Sequence, residues 1–237
     1  MYAMVSHSDD NYRVLADLTW HKNKLPYAER HGYVAFNQTE NFVTRSAKYG
    51  MSGFEKIHLS KTVLDNCPEI EWLWWTGTDS IVTNYNIKIE DKVDNDYDFM
   101  VCVDVNGINA DSFLVKNSEQ GRGFLQAVLD LEPQFNHYWD TEQRAIDHLL
   151  GFPGTGEPGW PFGDQLAVAE PYRNIVKILP QRHMNSFYYR IYHYIDQRDK
   201  LGVDGNWQSG DWLLHWPGTD LNNRLRLYQH FENQIIR

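Results

Sequence analysis

Residues Trp72 to Thr76 read Trp-Leu-Trp-Trp-Thr, and shortly afterwards the run ends on a single carboxylate, Asp79. Three indoles in four positions leave no polar face for a half-exposed strand. A strand that is apolar on both faces has to be covered on both, which is the situation of a central strand in an α/β sheet. Ligands of such sheets collect at the carboxyl ends of the strands. Asp79 falls at that end, where a carboxylate offers hard oxygen to a divalent cation. An isolated Asp after a strand serves equally well to cap a turn or to pair with a base.

The rest of the chain alternates strand-like and helix-like patterns. Residues 2–6 read as a first strand, followed by polar His7 to Asn11, where Asp9 or Asn11 can cap a helix from 13 to about 27. A second strand spans 33–36 after a turn at Gly32. A helix spans 54–66, closed by Pro68. Further strands are predicted at 99–103 and 113–115, and helices at 119–130 and 142–150. Residues 151–159 are too rich in Gly and Pro for regular structure. They read either as a lid over a site or as a plain surface excursion. Strands at 175–179 and 211–215 complete the pattern. Strands alternating with helices predict a single α/β domain over 1–237 with a mostly parallel central sheet flanked by helices.

Composition narrows the function. With 22 basic and 32 acidic residues the net charge is −10, which disfavours a nucleic-acid partner. The two cysteines, Cys67 and Cys102, form no disulfide framework and fit a reducing compartment. The first residues lack the basic and apolar pattern of a secretory signal, and no run approaches the ~20 apolar residues of a membrane span. The expectation is a cytoplasmic protein with no membrane anchor. Aromatics at 14% serve core packing or a sugar-facing surface.

A second apolar segment repeats the opening feature. Gly210-Asp211-Trp212-Leu213-Leu214-His215-Trp216-Pro217-Gly218 runs to a single His before Pro and Gly. A lone His is usually a satisfied core residue, but one at a strand end opposite Asp79 suits a borderline metal such as Mn²⁺.

Several stretches carry a family resemblance. Tyr27-Ala28-Glu29-Arg30-His31-Gly32-Tyr33 resembles Y-A-x-x-H-G-Y, and Phe54-Glu55-Lys56-Ile57 resembles W-x-K-I. Residues 71–79 align with a strand bearing an Asp-x-Asp motif. Asn106-Gly107-Ile108-Asn109-Ala110-Asp111-Ser112-Phe113-Leu114-Val115-Lys116-Asn117-Ser118 resembles N-G-x-N-A-G-x-F-L-x-R-N-S. Residues 141–146 resemble E-Q-D-A-L, residues 179–187 V-P-Q-R-x-x-N-S-Y, and residues 210–218 G-D-F-x-x-H-F-A-G. These elements fall in the order found in glycosyltransferase family 34, nucleotide-sugar enzymes of the GT-A fold that include fungal galactosyl- and mannosyltransferases and plant xyloglucan xylosyltransferases. The resemblance covers about residues 1–226. It departs at Gly77, where the family has the first Asp of Asp-x-Asp, and at Asp111, where the family has Gly. It also lacks the membrane anchor of the family's Golgi members, which suggests a bacterial or viral protein.

The resemblance implies a retaining transfer of a hexose or pentose from a nucleotide diphosphate sugar, with UDP favoured, to a glycan or other acceptor. It implies a Rossmann-like GT-A domain with a nucleotide-binding half over about 1–105 and an acceptor half over about 106–237. Asp79 and His215 are expected to hold Mn²⁺ or Mg²⁺, with binding weakened by the loss of an acid at Gly77. Ser6, His7, Lys56, Thr78, Asn106, Asn109 and Arg224 are expected around the donor. Glu142, Gln143 and Asp111 are expected at the reacting sugar. Asp164-Gln165 offers a second acid–amide pair. The competing expectations are a catalytically impaired sugar-binding protein of the same fold and a glycoside hydrolase using paired carboxylates.

Overall fold

A computed structural model describes residues 1–39, 53–191 and 197–237. Its centre is a six-stranded sheet in the order β2-β1-β3-β6-β5-β7. The strands are β1 (Tyr2–His7), β2 (Val34–Gln38), β3 (Trp72–Thr76), β5 (Phe99–Val103), β6 (Ile108–Lys116) and β7 (Val176–Leu179). The pairs β1–β2, β1–β3 and β5–β7 are parallel, while β6 runs antiparallel to both β3 and β5. The mostly parallel α/β sheet read from the sequence is therefore present, with one reversed strand inserted beside β3. Sheet strands come from both sides of residue 105.

β3 is buried along its whole length. Its side chains alternate between two cores, as the two-residue period of a strand requires. Leu73 and Trp75 join Phe99, Val101, Phe113 and Val115 beneath α3 (Glu55–Asn66), α4 (Glu119–Asp130) and α6 (Thr141–Leu150). Trp72 and Trp74 point the other way, into a core with Trp20, Tyr27 and Trp212. Trp74 lies 4.2 Å from Trp212 between ring centroids, and its indole N–H donates to Ser112 Oγ at 3.0 Å. The tryptophans therefore fill both sides of the sheet.

Several elements differ from the sequence expectation. The helix expected over 13–27 begins as α1 (Arg13–Ala16), widens into a π-helical stretch (Asp17–Lys24), and continues as α2 (Leu25–His31). It stops at Gly32, whose φ of 69° is the left-handed conformation glycine adopts without penalty. Asp9, not Asn11, is the cap, accepting the Asn11 backbone N–H at 3.0 Å ahead of a short 3₁₀ turn. β6 begins five residues earlier than the predicted strand at 113–115. Its first residues, among them Asn109, Asp111 and Ser112, are polar, and that masks the strand pattern.

The last strand also differs. It spans Leu213–His215 as β9, and it lies outside the central sheet in a second one of order β4-β9-β8, with β4 (Ser80–Val82) and β8 (Ser186–Phe187). Its outer face packs on α7 (Leu221–Phe231), a helix the sequence reading did not assign, through Leu214, Trp216, Leu227 and Phe231. A short α5 (Glu132–Phe135) follows α4. Both cysteines are free. Among the described residues no helix is long and apolar enough to cross a membrane.

Two outcomes follow. Trp74→Ala removes a fully buried indole and leaves a cavity, so it should lower stability by about 3 to 5 kcal/mol. Denaturant unfolding should show the midpoint shifting without a change of slope. His183, in the 3₁₀ turn Gln181–His183, is held down to about 4 from the usual 6.5, first by burial and then by the charges of Lys92 and Lys177. Its folded value lies below its unfolded value, so the unfolded chain takes the proton first. Stability should fall as pH drops from 6.5 through 4, and His183→Phe should flatten that part of a pH–unfolding profile.

Candidate active site

Asp79 sits in the short turn between β3 and β4, and three devices hold that turn. The first is the π-helical stretch, which presents three buried polar side chains to it. Thr19 Oγ donates to Thr78 O at 2.7 Å, Asn23 Nδ2 donates to Val82 O at 2.9 Å, and the Lys24 ammonium donates to Gly77 O. Asn23 Oδ1 also accepts the Val82 N–H at 2.7 Å. A π-helical widening places residues 19, 23 and 24 toward one neighbour, and such widenings concentrate at functional sites. Lys24 is wholly buried, and desolvation brings its ammonium down to about 7 against the pull of Asp111 and Asp79.

The second device is the small sheet. Ser80 pairs with His215 across β4 and β9, and the Trp216 N–H donates to Asp79 O at 3.0 Å. This register brings the end of β9 beside the start of β4, so the expected Asp and His meet. The third device is β6, which carries Asp111 opposite Gly77, where the Gly77 N–H donates to Asp111 O at 2.9 Å.

His215 Nε2 lies 3.3 Å from Asp79 Oδ1 and 3.2 Å from Asp111 Oδ2, and one ligand atom from each residue falls within 4.8 Å of the others. On its far side His215 Nδ1 contacts Asn185 Oδ1 at 2.8 Å. A carboxamide oxygen can only accept, so Nδ1 carries a hydrogen and Asn185 fixes the ring with Nε2 turned toward the carboxylates. Asn185 was missed as a site residue, although it lies inside the segment 179–187 that the sequence had marked. Burial pushes Asp79 up, but the Arg224 guanidinium at 2.6 Å and His215 outweigh it and hold the carboxyl far below the usual range. Burial pushes the Asp111 carboxyl up, and the neighbouring charge of Asp79 adds to it against the pull of His215.

These groups border a cavity of about 570 Å³, within the usual range for a small-molecule site. Of the expected residues, Lys56, Asp79, Asn106, Asn109, Asp111, Glu142, Gln143, His215 and Arg224 line it, and Ser6, His7 and Thr78 do not. Ser6 is buried within β1, and Thr78 Oγ is turned away to donate to His7 O at 2.6 Å. Asp104 and Trp139, which the sequence reading did not single out, also line it. Asp104 accepts from Asn109 Nδ2 at 2.9 Å and thereby orients the start of β6, and burial raises its carboxyl. Asp164 and Gln165 lie exposed on a 3₁₀ turn outside the cavity lining.

Lys56 does not stand alone in the cavity. Its ammonium pairs with Glu142 at 2.7 Å, donates to Ala110 O at 3.2 Å, and lies 4.0 Å from Asp111. Burial lowers it, yet Glu142 and Asp111 overcome that and hold the ammonium above its ordinary range. Gln143 Oε1 accepts the Ala110 N–H at 2.8 Å, so α6 and β6 are stitched together at the cavity wall. Thr141, which opens α6 and donates to Glu142, is β-branched yet held at φ 33°, and strain of this kind gathers at functional sites. The Gly- and Pro-rich loop is part of the same wall. Thr155 N–H donates to Asp140 at 3.1 Å and Gly156 N–H to Asn106 O at 2.8 Å.

The sequence comparisons agree with this architecture. The sequence model of the galactosyl transferase GMA12/MNN10 family matches residues 4–96 and 92–153, more than half of the chain. The chain belongs to this family. It is 26% identical over 166 residues to the alpha-1,2-galactosyltransferase of Schizosaccharomyces pombe, covering 54% of this chain and 44% of that protein. It is 32% identical over 123 residues to xyloglucan 6-xylosyltransferase 1 of Arabidopsis thaliana, covering 48% of this chain and 26% of that protein. The chain thus spans less than half the length of these relatives. Among solved structures, it superposes with a TM-score of 0.67 on a glycosyltransferase involved in the glycosylation of the major capsid of PBCV-1, at 14% identity over 98% of both chains. The fold is GT-A.

The Lys56–Glu142 pair can be tested apart from any ligand. Lys56→Met strands a buried carboxylate and should cost about 3 to 5 kcal/mol. Lys56→Met/Glu142→Leu should recover most of that loss in denaturant unfolding, giving a coupling energy well above zero.

Proposed function

We propose that this chain is a retaining glycosyltransferase that moves a hexose or pentose from a UDP-sugar to a hydroxyl of a glycan or other acceptor. The observation that carries this reading is the meeting of Asp79, in the turn after β3, with His215, at the end of β9, beside a cavity that also presents Arg224 and Lys56. The donor set suits Mn²⁺ or Mg²⁺: a carboxylate oxygen and an imidazole nitrogen 3.3 Å apart at the cavity wall. When bound, such a cation neutralises the charge that grows on the diphosphate as the glycosidic bond breaks.

The chain's own residues supply the rest. Arg224 is anchored by Asp79 through Nη2, while its buried Nε makes no hydrogen bond and remains available to a phosphate oxygen. Asn109 and Asn106 border the space for the donor sugar. Glu142, paired with Lys56 at 2.7 Å, lines the cavity and serves to stabilise positive charge developing on the sugar ring. The carboxamide oxygen of Gln143 is occupied by Ala110, so its contact with the sugar falls to Nε2. The acceptor hydroxyl approaches the face the diphosphate leaves, and its proton passes to the departing phosphate oxygen.

A second reading, a sugar-binding protein of the same fold without turnover, is favoured by Gly77 in the motif position of an acid. Calorimetric titration separates the two. UDP should bind in the presence of Mn²⁺, bind at least about tenfold more weakly in EDTA, and bind no better than that in Asp79→Ala or His215→Ala. UDP-sugar should then be consumed. Binding of UDP that ignores EDTA would remove the metal from the reading. Binding without consumption of any donor would leave the sugar-binding protein, and binding of neither UDP nor GDP would end the nucleotide-sugar proposal.

A further inference from the structure

Resting on the reading that a divalent cation lies between Asp79 and His215, the structure assigns Asp111 as a third ligand of that cation. Its carboxylate is delivered from β6 in place of the one residue 77 lacks.

The first observation is steric. Gly77 and Asp111 face each other one step beyond the Thr76–Ser112 pair of β3 and β6. A Cβ built on Gly77 would fall 2.1 Å from each carboxylate oxygen of Asp111 and 2.3 Å from its Cγ. Gly77 is not among the glycines at positive φ, so its backbone does not demand glycine. What excludes a side chain there is the Asp111 carboxylate itself. Positions 77 and 111 share room for one acidic group.

The second observation is an orphaned atom. Asp111 Oδ2 is buried and makes no hydrogen bond, yet it lies 3.2 Å from His215 Nε2 and beside the Asp79 carboxylate. Lys56 does not satisfy Asp111. It stands 4.0 Å from Oδ1 and is already engaged by Glu142 and Ala110. Two carboxylates held this close in the interior repel unless a cation joins them.

The two places where the sequence departs from its family pattern are then one change. An acid gives way to Gly at 77, and Gly gives way to an acid at 111, directly across the strand pair. The carboxylate reaches nearly the same volume from the other strand. This explains how the motif loses its first acid while the site keeps two carboxylates and an imidazole within 4.8 Å.

The test titrates MnCl₂ into the protein, alone and with UDP, and follows free Mn²⁺ by electron paramagnetic resonance. Far-UV circular dichroism checks that each variant is folded. Asp111→Gly should weaken Mn²⁺ uptake by about tenfold or more. Gly77→Asp should also weaken it, because two carboxylates then collide in one volume. The double variant Gly77→Asp/Asp111→Gly should return to within about threefold of the parent, a recovery that only two positions sharing one role produce. Should Asp111→Gly fail to fold, Asp111→Asn, which keeps the shape and removes the charge, takes its place. Mn²⁺ uptake by Asp111→Gly or Asp111→Asn equal to that of the parent overturns the assignment while leaving the metal reading intact. So does a folded double variant that binds no better than Asp111→Gly. A parent that takes up no Mn²⁺ in either condition overturns both.

Discussion

Two carboxylates and an imidazole share a buried space in which one atom from each lies within 4.8 Å of the others. Brought together in a dry interior, the two carboxylates repel. The fold around them reads as the means of holding them there. Arg224 reaches Asp79 from α7, and Lys56 approaches from α3, paired with Glu142. Lys24 comes from the π-helical stretch, wholly buried and bound to the carbonyl of Gly77. Basic side chains from three separate elements surround the acids, although the whole chain carries −10. The same arrangement that makes the acids tolerable gives an anionic ligand its contacts.

Position is supplied by backbone pairing. The turn bearing Asp79 is short and would wander if only its ends were fixed. It is clamped by Thr19, Asn23 and Lys24 on one side and by the β4–β9 register on the other. Asn185 then turns the His215 ring, and Gln143 and Asn109 fix the opening of β6. A carboxylate carried by packed strands and braced by buried hydrogen bonds keeps its geometry better than one on a free loop. This accounts for the tryptophans of β3. They pack the strand rigidly on both faces, and that rigidity sets where Asp79 begins.

Much of this was legible beforehand, and the failures have two causes, polar residues that interrupt a pattern and strands too short to show one. β3 and β5 stand out because their burial on both faces writes a continuous apolar run. β6 begins earlier than its apolar core suggests because Asn109 and Asp111 face the site and Ser112 accepts the Trp74 indole N–H. α7 has buried positions at helical spacing, but the first of them is Arg224, held by Asp79, so the apolar stripe is broken where function intrudes. β4 and β8 are three and two residues long, too short for any period to register. The π-helical stretch carries buried Thr19, Asn23 and Lys24, polar residues that look solvent-facing until their partners across the turn are known. Asn185 and Lys24 escaped notice for the same reason: each acts through a neighbour distant in the chain.

The sequence by itself determined that a bulky, doubly buried strand ends on Asp79, that a second apolar run ends on His215, and that the chain alternates strands and helices around an acidic surface. These are local matters of periodicity, burial and charge. Only the tertiary structure decided that the two runs belong to different sheets and meet end to end. It also decided that Gly77 and Asp111 compete for one volume, and that Lys56 is committed to Glu142. Those facts depend on register between segments tens of residues apart, and register is set by packing across the sheet, which no window along the chain contains.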